Sequence, residues 1–350
     1  MALGKKGRTV AGLDIGANSI KLVKFEEKGG AYILKALGIK EISPDAIVDE
    51  EIKDRDALIY GIQSLIDQCD PRIKDVALAV AGHGVLNDKI TMDKKTGNEA
   101  EQAILFEAEQ RSPFDVDDVS LDYHVIKVNE ETSKMDVLLV AARKDFLKSY
   151  LDLILDAGLR PVLVDTEALA LLNAYEINYE INPEKVTALV NLGFDTTNLT
   201  FIKDGVYHSA RDISSGARML YESIMKEFRL NPELALKTLK GEMGSSIDQD
   251  MLKATVVTSS EELISGLEVA ISYFKSSAKI SNLDWIVLSG GGALIPFLPE
   301  FIQSKLNITV EIINPLRNIE YDPDIFRQAQ PEKIAPLLTI AVGLAARKVK

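Results

Sequence analysis

Three glycine turns, far apart along the chain, hold the residues best suited to chemistry. They are Leu13-Asp14-Ile15-Gly16-Ala17-Asn18-Ser19-Ile20-Lys21, Asn191-Leu192-Gly193-Phe194-Asp195-Thr196-Thr197-Asn198-Leu199-Thr200 and Leu288-Ser289-Gly290-Gly291-Gly292-Ala293. Glycine at a tight turn lets backbone N–H groups approach a phosphate closely. Taken singly, each is an ordinary turn, and Asp14 with Gly16 would simply shape a hairpin. Taken together and in this order, the three read as a clamp for a nucleotide.

The flanking elements support that reading. Apolar β-rich runs, Thr9 to Leu13 with Ile20 to Phe25 and Val186 to Val190 with Leu199 to Ile202, make the first two turns the tips of β-hairpins. The first stretch reads as a meander, Val10 to Asp14, Ile20 to Glu26 and Tyr32 to Ile42, followed by a helix carrying Leu58, Ile62 and Leu65 and a strand Asp75 to Ala81. From His83 to about Gly158 the pattern changes to strand Ile90 to Met92, helix Glu99 to Gln110, strands Leu121 to Val128 and Met135 to Ala141, and helix Lys144 to Ala157, a small inserted α+β subdomain. Strand Arg160 to Val164 follows, then a helix Thr166 to Tyr175 whose all-round hydrophobicity predicts burial between lobes.

Strand, glycine turn and strand then recur, with Val206 to Ile213 completing a second meander, which suggests internal duplication. Helices are expected over Ala217 to Phe228 and Glu233 to Lys240, a loop over Gly241 to Ser259, and a longer helix opened by a Ser259/Glu262 capping box. Strand Trp285 to Leu288, helix Pro296 to Leu306, strand Thr309 to Ile313 and a helix Ala335 to Lys348 complete the expected order.

At 350 residues, about two domains are expected. A net charge of −13, with lysines dispersed among acids, argues against a nucleic-acid surface. The basic start, Met1 to Arg8, has no apolar signal core, and no run approaches ~20 apolar residues. A cytoplasmic location is therefore expected, with any membrane attachment made through a partner. The single Cys69 permits no internal disulfide, and His83, His124 and His208 have no metal-ligand spacing.

The turns resemble those of the actin-like ATPase superfamily, which contains actin, Hsp70, sugar kinases and FtsA. That resemblance implies an α/β fold of two related lobes closing on ATP with Mg²⁺. It assigns Asp14 to the hydrated Mg²⁺, Gly16, Ala17, Asn18 and Ser19 to the phosphate-cradling turn, and Lys21 to the phosphates. In the second hairpin, Asn191, Gly193, Asp195, Thr196 and Thr197 match the other phosphate turn, with Asn191 at the metal position. Asn191 stands where the family commonly has Asp, and Asp195 where it commonly has glycine. Asparagine lacks the charge that holds Mg²⁺ and poises water, so hydrolysis is expected to be weak or absent. Asp195 is either a replacement metal contact or a local obstacle to phosphate. Glu167 matches the residue that orients the attacking water, and equally reads as an acid favoured at a helix start. Gly290, Gly291 and Gly292 match the turn that meets the adenosine, with Lys237 or Lys240 as contacts to it.

The inserted subdomain resembles that of FtsA (subdomain 1C). Gln110-Arg111-Ser112-Pro113-Phe114, Leu121-Asp122-Tyr123, Val137 to Arg143 and Ala157-Gly158-Leu159 resemble the PilM family of type IV pilus assembly. That likeness implies a first lobe of residues 1–82 with 159–180 and an inserted subdomain of 83–158. The second lobe would be 181–213 with 282–350, and a helical subdomain 214–281. It also implies a scaffold, able to form homo-oligomers, that binds the N-terminal cytoplasmic tail of PilN and links the inner-membrane complex to motor or platform components. An FtsA-like division anchor and an actin-fold kinase are the alternatives. Phe114 and the Val125 to Val128 strand are candidate groove residues, each also readable as core.

Overall fold

The computed structural model of the chain describes residues 8–111, 113–242, 247–326 and 330–349. The basic segment 1–7 and Ser112 lie outside the described residues. Two five-stranded sheets organise the chain. The first runs in the order Arg160–Thr166, Asp75–Val80, Ala11–Ile15, Ser19–Lys28, Ala31–Glu41. The second runs Val206–Ile213, Thr197–Lys203, Thr187–Leu192, Trp285–Ser289, Thr309–Ile312. Each consists of an antiparallel three-strand meander whose first strand also pairs in parallel with the first of two later strands. The duplication expected from the turns thus extends to whole sheets.

The first strand of each meander is buried from end to end, Ala11–Ile15 and Thr187–Leu192. A strand covered on both faces favours an unbroken apolar run. Each has one strongly polar side chain near its end, Asp14 and Asn191, two residues before the turn glycine. A buried polar group at a strand end is costly unless something pairs with it, which marks both positions for chemistry.

The inserted segment forms a three-stranded antiparallel sheet, Val85–Asp93, Lys134–Arg143, Val119–Asn129, with helix Gly97–Arg111 on one face. Ile104 and Ala108 of that helix pack on Ile90, Met92, Met135, Val137 and Leu139. The first strand is longer than the Ile90 to Met92 core read from sequence, because it pairs with the central strand from Val85 onward. Helix Lys144–Asp156 was expected to belong with the insertion. Its Tyr150, Leu153 and Ile154 instead join the core under the first sheet, beside Leu58, Ile62 and Leu65 of helix Arg55–Cys69.

Three further expectations are corrected. Where a loop was expected over Gly241 to Ser259, the helix Gln249–Ser259 forms, with Asp248 accepting from Met251 N at 2.9 Å; Met243 to Ser246 lie outside the described residues. Its apolar stripe is only Leu252 and Val256, too short to read as a helix without the core it enters. The Ser259/Glu262 capping box is absent: Ser259 and Ser260 hydroxyls donate back to Thr255 O and Val256 O, both at 2.7 Å. The next helix, Glu261–Ala278, starts so soon after that these hydroxyls serve the preceding turn.

The expected helix Ala335 to Lys348 is a 3₁₀ turn Ala335–Leu338, a helix Thr339–Ala345, and then a strand Lys348–Val349 paired with Arg8–Thr9. Pairing with the distant N-terminal strand ends that helix early.

Two helices tie the lobes together by exchange. Glu167–Asn178 follows the first sheet but packs on the second sheet's Thr197–Lys203. Thr339–Ala345, expected with the second lobe, packs on Ala11–Ile15 and Ser19–Lys28 of the first. The helices also cross each other so closely that a Cβ on Gly343 would sit 1.8 Å from Ala170 O, while one on Gly12 would sit 2.1 Å from Ala341 O. No rotamer relieves a backbone clash of that size, so Gly343→Ala should lower the unfolding free energy by about 3 kcal/mol or more. Urea unfolding of the variant measures this; a loss below about 0.5 kcal/mol would mean that the helices separate without cost.

Candidate functional site

The first two turns are the same structure built twice. In each, the glycine N–H donates to the carbonyl three residues on, Gly16 N to Ser19 O at 3.1 Å and Gly193 N to Thr196 O at 3.0 Å. In each, the polar residue of the buried strand stands directly across the ladder from a second polar residue, Asp14 opposite Lys21 and Asn191 opposite Asn198. The pairs differ in charge. Lys21 Nζ lies 3.1 Å from Asp14 Oδ2, whereas Asn191 Nδ2 donates to Asn198 Oδ1 at 3.2 Å. One lobe brings an ion pair to the cleft and the other its neutral counterpart.

The third turn joins the second hairpin from behind. Gly290 has φ 79°, and a Cβ there would come within 2.5 Å of Leu192 O; at Gly292 it would meet Leu192 Cδ2 at 1.8 Å. These two glycines are therefore explained by packing on the second hairpin. Gly291 is different, since a Cβ there would meet only Leu337 Cδ2 at 3.5 Å.

All three turns line one cavity of about 380 Å³ between the lobes, a volume in the range of small-molecule sites. Asp14, Gly16 to Ser19, Lys21, Glu167, Asn191, Gly193, Asp195, Thr196, Gly290, Gly291 and Gly292 all reach it. Two sequence candidates do not. Thr197 is fully buried behind its turn, its hydroxyl donating to Ser215 O at 2.7 Å, and Lys237 pairs with Glu233 at 2.6 Å on the outside of helix Pro232–Leu239. Lys240, one turn further along, lines the cavity in place of Lys237. Asp195 is neither a bare carboxylate nor a free ligand, because Arg218 clamps it through Nε at 2.6 Å and Nη2 at 3.0 Å. The fork neutralises the negative charge that sequence alone placed against phosphate.

Glu167 opens helix Glu167–Asn178, but the capping acceptor is Thr166, whose side chain takes Leu169 N at 3.4 Å. The Glu167 carboxyl instead faces the cavity and accepts from Asn191 Nδ2 at 3.3 Å. Burial first, then the charges of Asp14 and Asp212, push its pKa up to about 8, so it is mostly protonated at neutral pH.

Several residues that no motif announced complete the site. Asp212 accepts from Asn198 Nδ2 at 3.0 Å and from Gly82 N at 2.9 Å, joining the second hairpin to the start of the insertion. Glu50 accepts from His83 N at 2.9 Å, and Tyr150 donates to Glu50 O at 3.2 Å. Desolvation raises both Glu50 and Tyr150 above their ordinary values. Their sequence neighbourhoods hold no signal, since only folding brings residues 50, 82, 150 and 212 together.

The donor set fits a phosphate ligand carrying a hydrated cation. Asn18 Oδ1 is buried in the first turn without a hydrogen-bond partner, an acceptor suited to metal-bound water rather than to a phosphate oxygen. No group of three or more His, Cys, Asp or Glu side chains that could cage a metal occurs among the described residues. A cation would thus rest on Asp14, water and the ligand's own oxygens, the mode Mg²⁺ favours.

A carboxyl held neutral by burial gives the folded state an extra proton between its ordinary pKa of 4.5 and about 8, so Glu167 makes stability fall as pH rises through that window. Urea unfolding at pH 5 and pH 8 should show a smaller loss for Glu167→Gln than for the parent chain. Equal losses would show that Glu167 ionises freely in the fold.

Comparison with known proteins agrees with the architecture. The family model of the type IV pilus assembly protein PilM matches residues 12–349. A solved PilM–PilN type IV pilus biogenesis complex is similar over 96% of this chain and 97% of that chain, with 25% identity and a TM-score of 0.82. The ethanolamine utilization protein EutJ from Carboxydothermus hydrogenoformans is similar in fold over 96% of this chain and 89% of that chain, at 16% identity and a TM-score of 0.55. The fold is that of the actin-like ATPases, and the chain belongs to the PilM family of type IV pilus assembly proteins.

Proposed function

We propose that this chain is a nucleotide-dependent scaffold of pilus assembly, holding ATP with Mg²⁺ between its lobes and taking the N-terminal tail of PilN on its inserted subdomain. The observation that carries the nucleotide part is the convergence of two equivalent hairpins and Gly291 on one cavity. Lys21 and the turn N–H groups of residues 17–19 and 194–196 bind phosphate oxygens, Asp14 and Asn18 hold water around the cation, and Gly291 leaves a flat wall for the adenosine. Bound Mg²⁺ supplies positive charge to the phosphates. Asn191 and Asn198 orient by hydrogen bonds without adding charge, and Glu167 keeps its proton at neutral pH. Both features favour retention over turnover, so the nucleotide fixes lobe closure rather than driving a cycle.

The partner reading rests on the similar PilM–PilN complex and on one exposed feature. Val119–Asn129 is the free edge of the inserted sheet, and Tyr123, Val125 and Val128 lie on its helix-bearing face at 37–39% exposure. Helix Gly97–Arg111 covers the other two strands and leaves this row open, with Phe106 exposed on the helix. An extended apolar tail can add to the edge and lay alternate side chains on the row. Attachment to the inner membrane would come through that partner, since no helix among the described residues is long and apolar enough to cross a membrane.

Two measurements test this. Asp14→Asn and Lys21→Ala should each weaken ATP binding at least about tenfold, equivalent to ~1.4 kcal/mol, by calorimetry with Mg²⁺; unchanged affinity would reject the site. A fluorescent peptide of the PilN N-terminus should bind the parent chain and lose affinity at least about tenfold in Val125→Asp, while ATP binding stays the same. Absence of peptide binding with and without ATP would reject the partner reading.

A further inference from the structure

The inter-lobe cavity has unlike ends. At its base the lobes are joined by the dry helix crossing of Ala170 and Gly343, where backbone meets backbone. At its mouth they are joined by polar side chains that reach across. Arg218, on helix Arg218–Glu227 of the second lobe, holds Asp195 with its fork and also donates through Nη2 to Pro44 O at 2.7 Å on the first lobe. Its guanidinium lies 4.9 Å from the Phe194 ring centroid, and Nη1 is 3.8 Å from Asp45. A second bridge joins Lys240, just after helix Pro232–Leu239, to Glu41 at the end of the first sheet's edge strand. Glu41, Asp195 and Lys240 all line the cavity, so both bridges border the space where a ligand would sit.

We propose that Arg218 and Lys240 are nucleotide-retention residues: they strap the mouth of the cleft shut across the lobes and set the rate at which a nucleoside triphosphate leaves. This rests on the nucleotide reading above and adds to it a cause for slow release. Arg218 is held on three sides, by Asp195, Pro44 O and the Phe194 ring. It therefore acts as a brace between the second hairpin and residues 44–45 rather than as a free cation on the phosphates. Asp195, out of place in a phosphate turn, is the anchor of that brace. The base is a packed crossing that can serve as fulcrum, whereas the mouth is closed by charges that water can replace. Opening to release ligand is therefore expected at the mouth, by breaking these bridges.

Stopped-flow release of a fluorescent ATP analogue, chased with excess ATP in Mg²⁺ buffer, tests the proposal on the full chain. Arg218→Ala should release about tenfold faster, and Arg218→Lys should fall between it and the parent, because an ammonium reaches one acceptor but cannot form the fork. Glu41→Lys and Lys240→Glu should each speed release, and the double exchange should restore it, an outcome that loss of packing would not produce. Glu41 is well exposed and Lys240 half-buried at the surface, so these variants fold even if Arg218→Ala does not. Release within twofold of the parent in Arg218→Lys and both single charge reversals, or a double exchange no slower than the singles, would overturn the strap while leaving the site intact. A parent chain that shows no saturable binding of the analogue would overturn the nucleotide reading and the strap together.

Discussion

The structure turns on a backbone contact that leaves no room for a side chain. Gly343 lies against Ala170 and Gly12 against Ala341, so the helix after each sheet is held tightly against the other helix or the opposite sheet. That exchange makes the two lobes one body at the base and leaves them separable at the mouth. Interiors are close-packed and do not deform continuously, so the crossing resists separation of the lobes at that point. The two hairpins meet at one cavity because the sheets that carry them are held together through the exchanged helices.

Given that frame, the electrostatics of the cleft are asymmetric by design of the two hairpins. The first brings Asp14 and Lys21 as an ion pair, and the second brings Asn191 and Asn198 as a neutral pair in the same register. A carboxylate at residue 191 would add a second negative group beside Asp14 and hold the proton on Glu167 more firmly still. Asparagine keeps the hydrogen bonds and removes the repulsion. Arg218 performs a similar neutralisation at Asp195. The second hairpin thereby brings no unbalanced charge to the cavity, while its backbone geometry matches that of the first.

A hydrogen-bonded chain leads away from this centre. Glu167 meets Asn191, Asn191 meets Asn198, Asn198 meets Asp212, and Asp212 takes the N–H of Gly82, where the inserted subdomain begins. His83 and Ser214 lie 3.2 Å apart beside it, bridging the same seam. The insertion is thus fastened to both lobes close to the cavity, so its free edge strand is presented by a base whose position depends on how the lobes stand.

The sequence by itself determined the elements of short period and the identity of the turns. Alternating and continuous apolar runs fixed both meanders, and glycine at residues 16, 193 and 290–292 marked where backbone must turn tightly or come close, because these are local demands on φ, ψ and side-chain volume. It also showed that Asn191 and Asp195 depart from the expected chemistry. Tertiary structure alone decided what those departures mean: Arg218 is 23 residues from Asp195, and nothing in its neighbourhood marks it as a partner. The same holds for Glu50 at the cavity and Asp212 behind Asn198, for the helix Gln249–Ser259 that exists because a core receives Leu252 and Val256, and for the final strand that pairs with Arg8–Thr9. Each depends on contacts between residues distant in the chain, whose energies enter only when the fold has closed, whereas periodicity and turn chemistry act over a few residues and are written where they act.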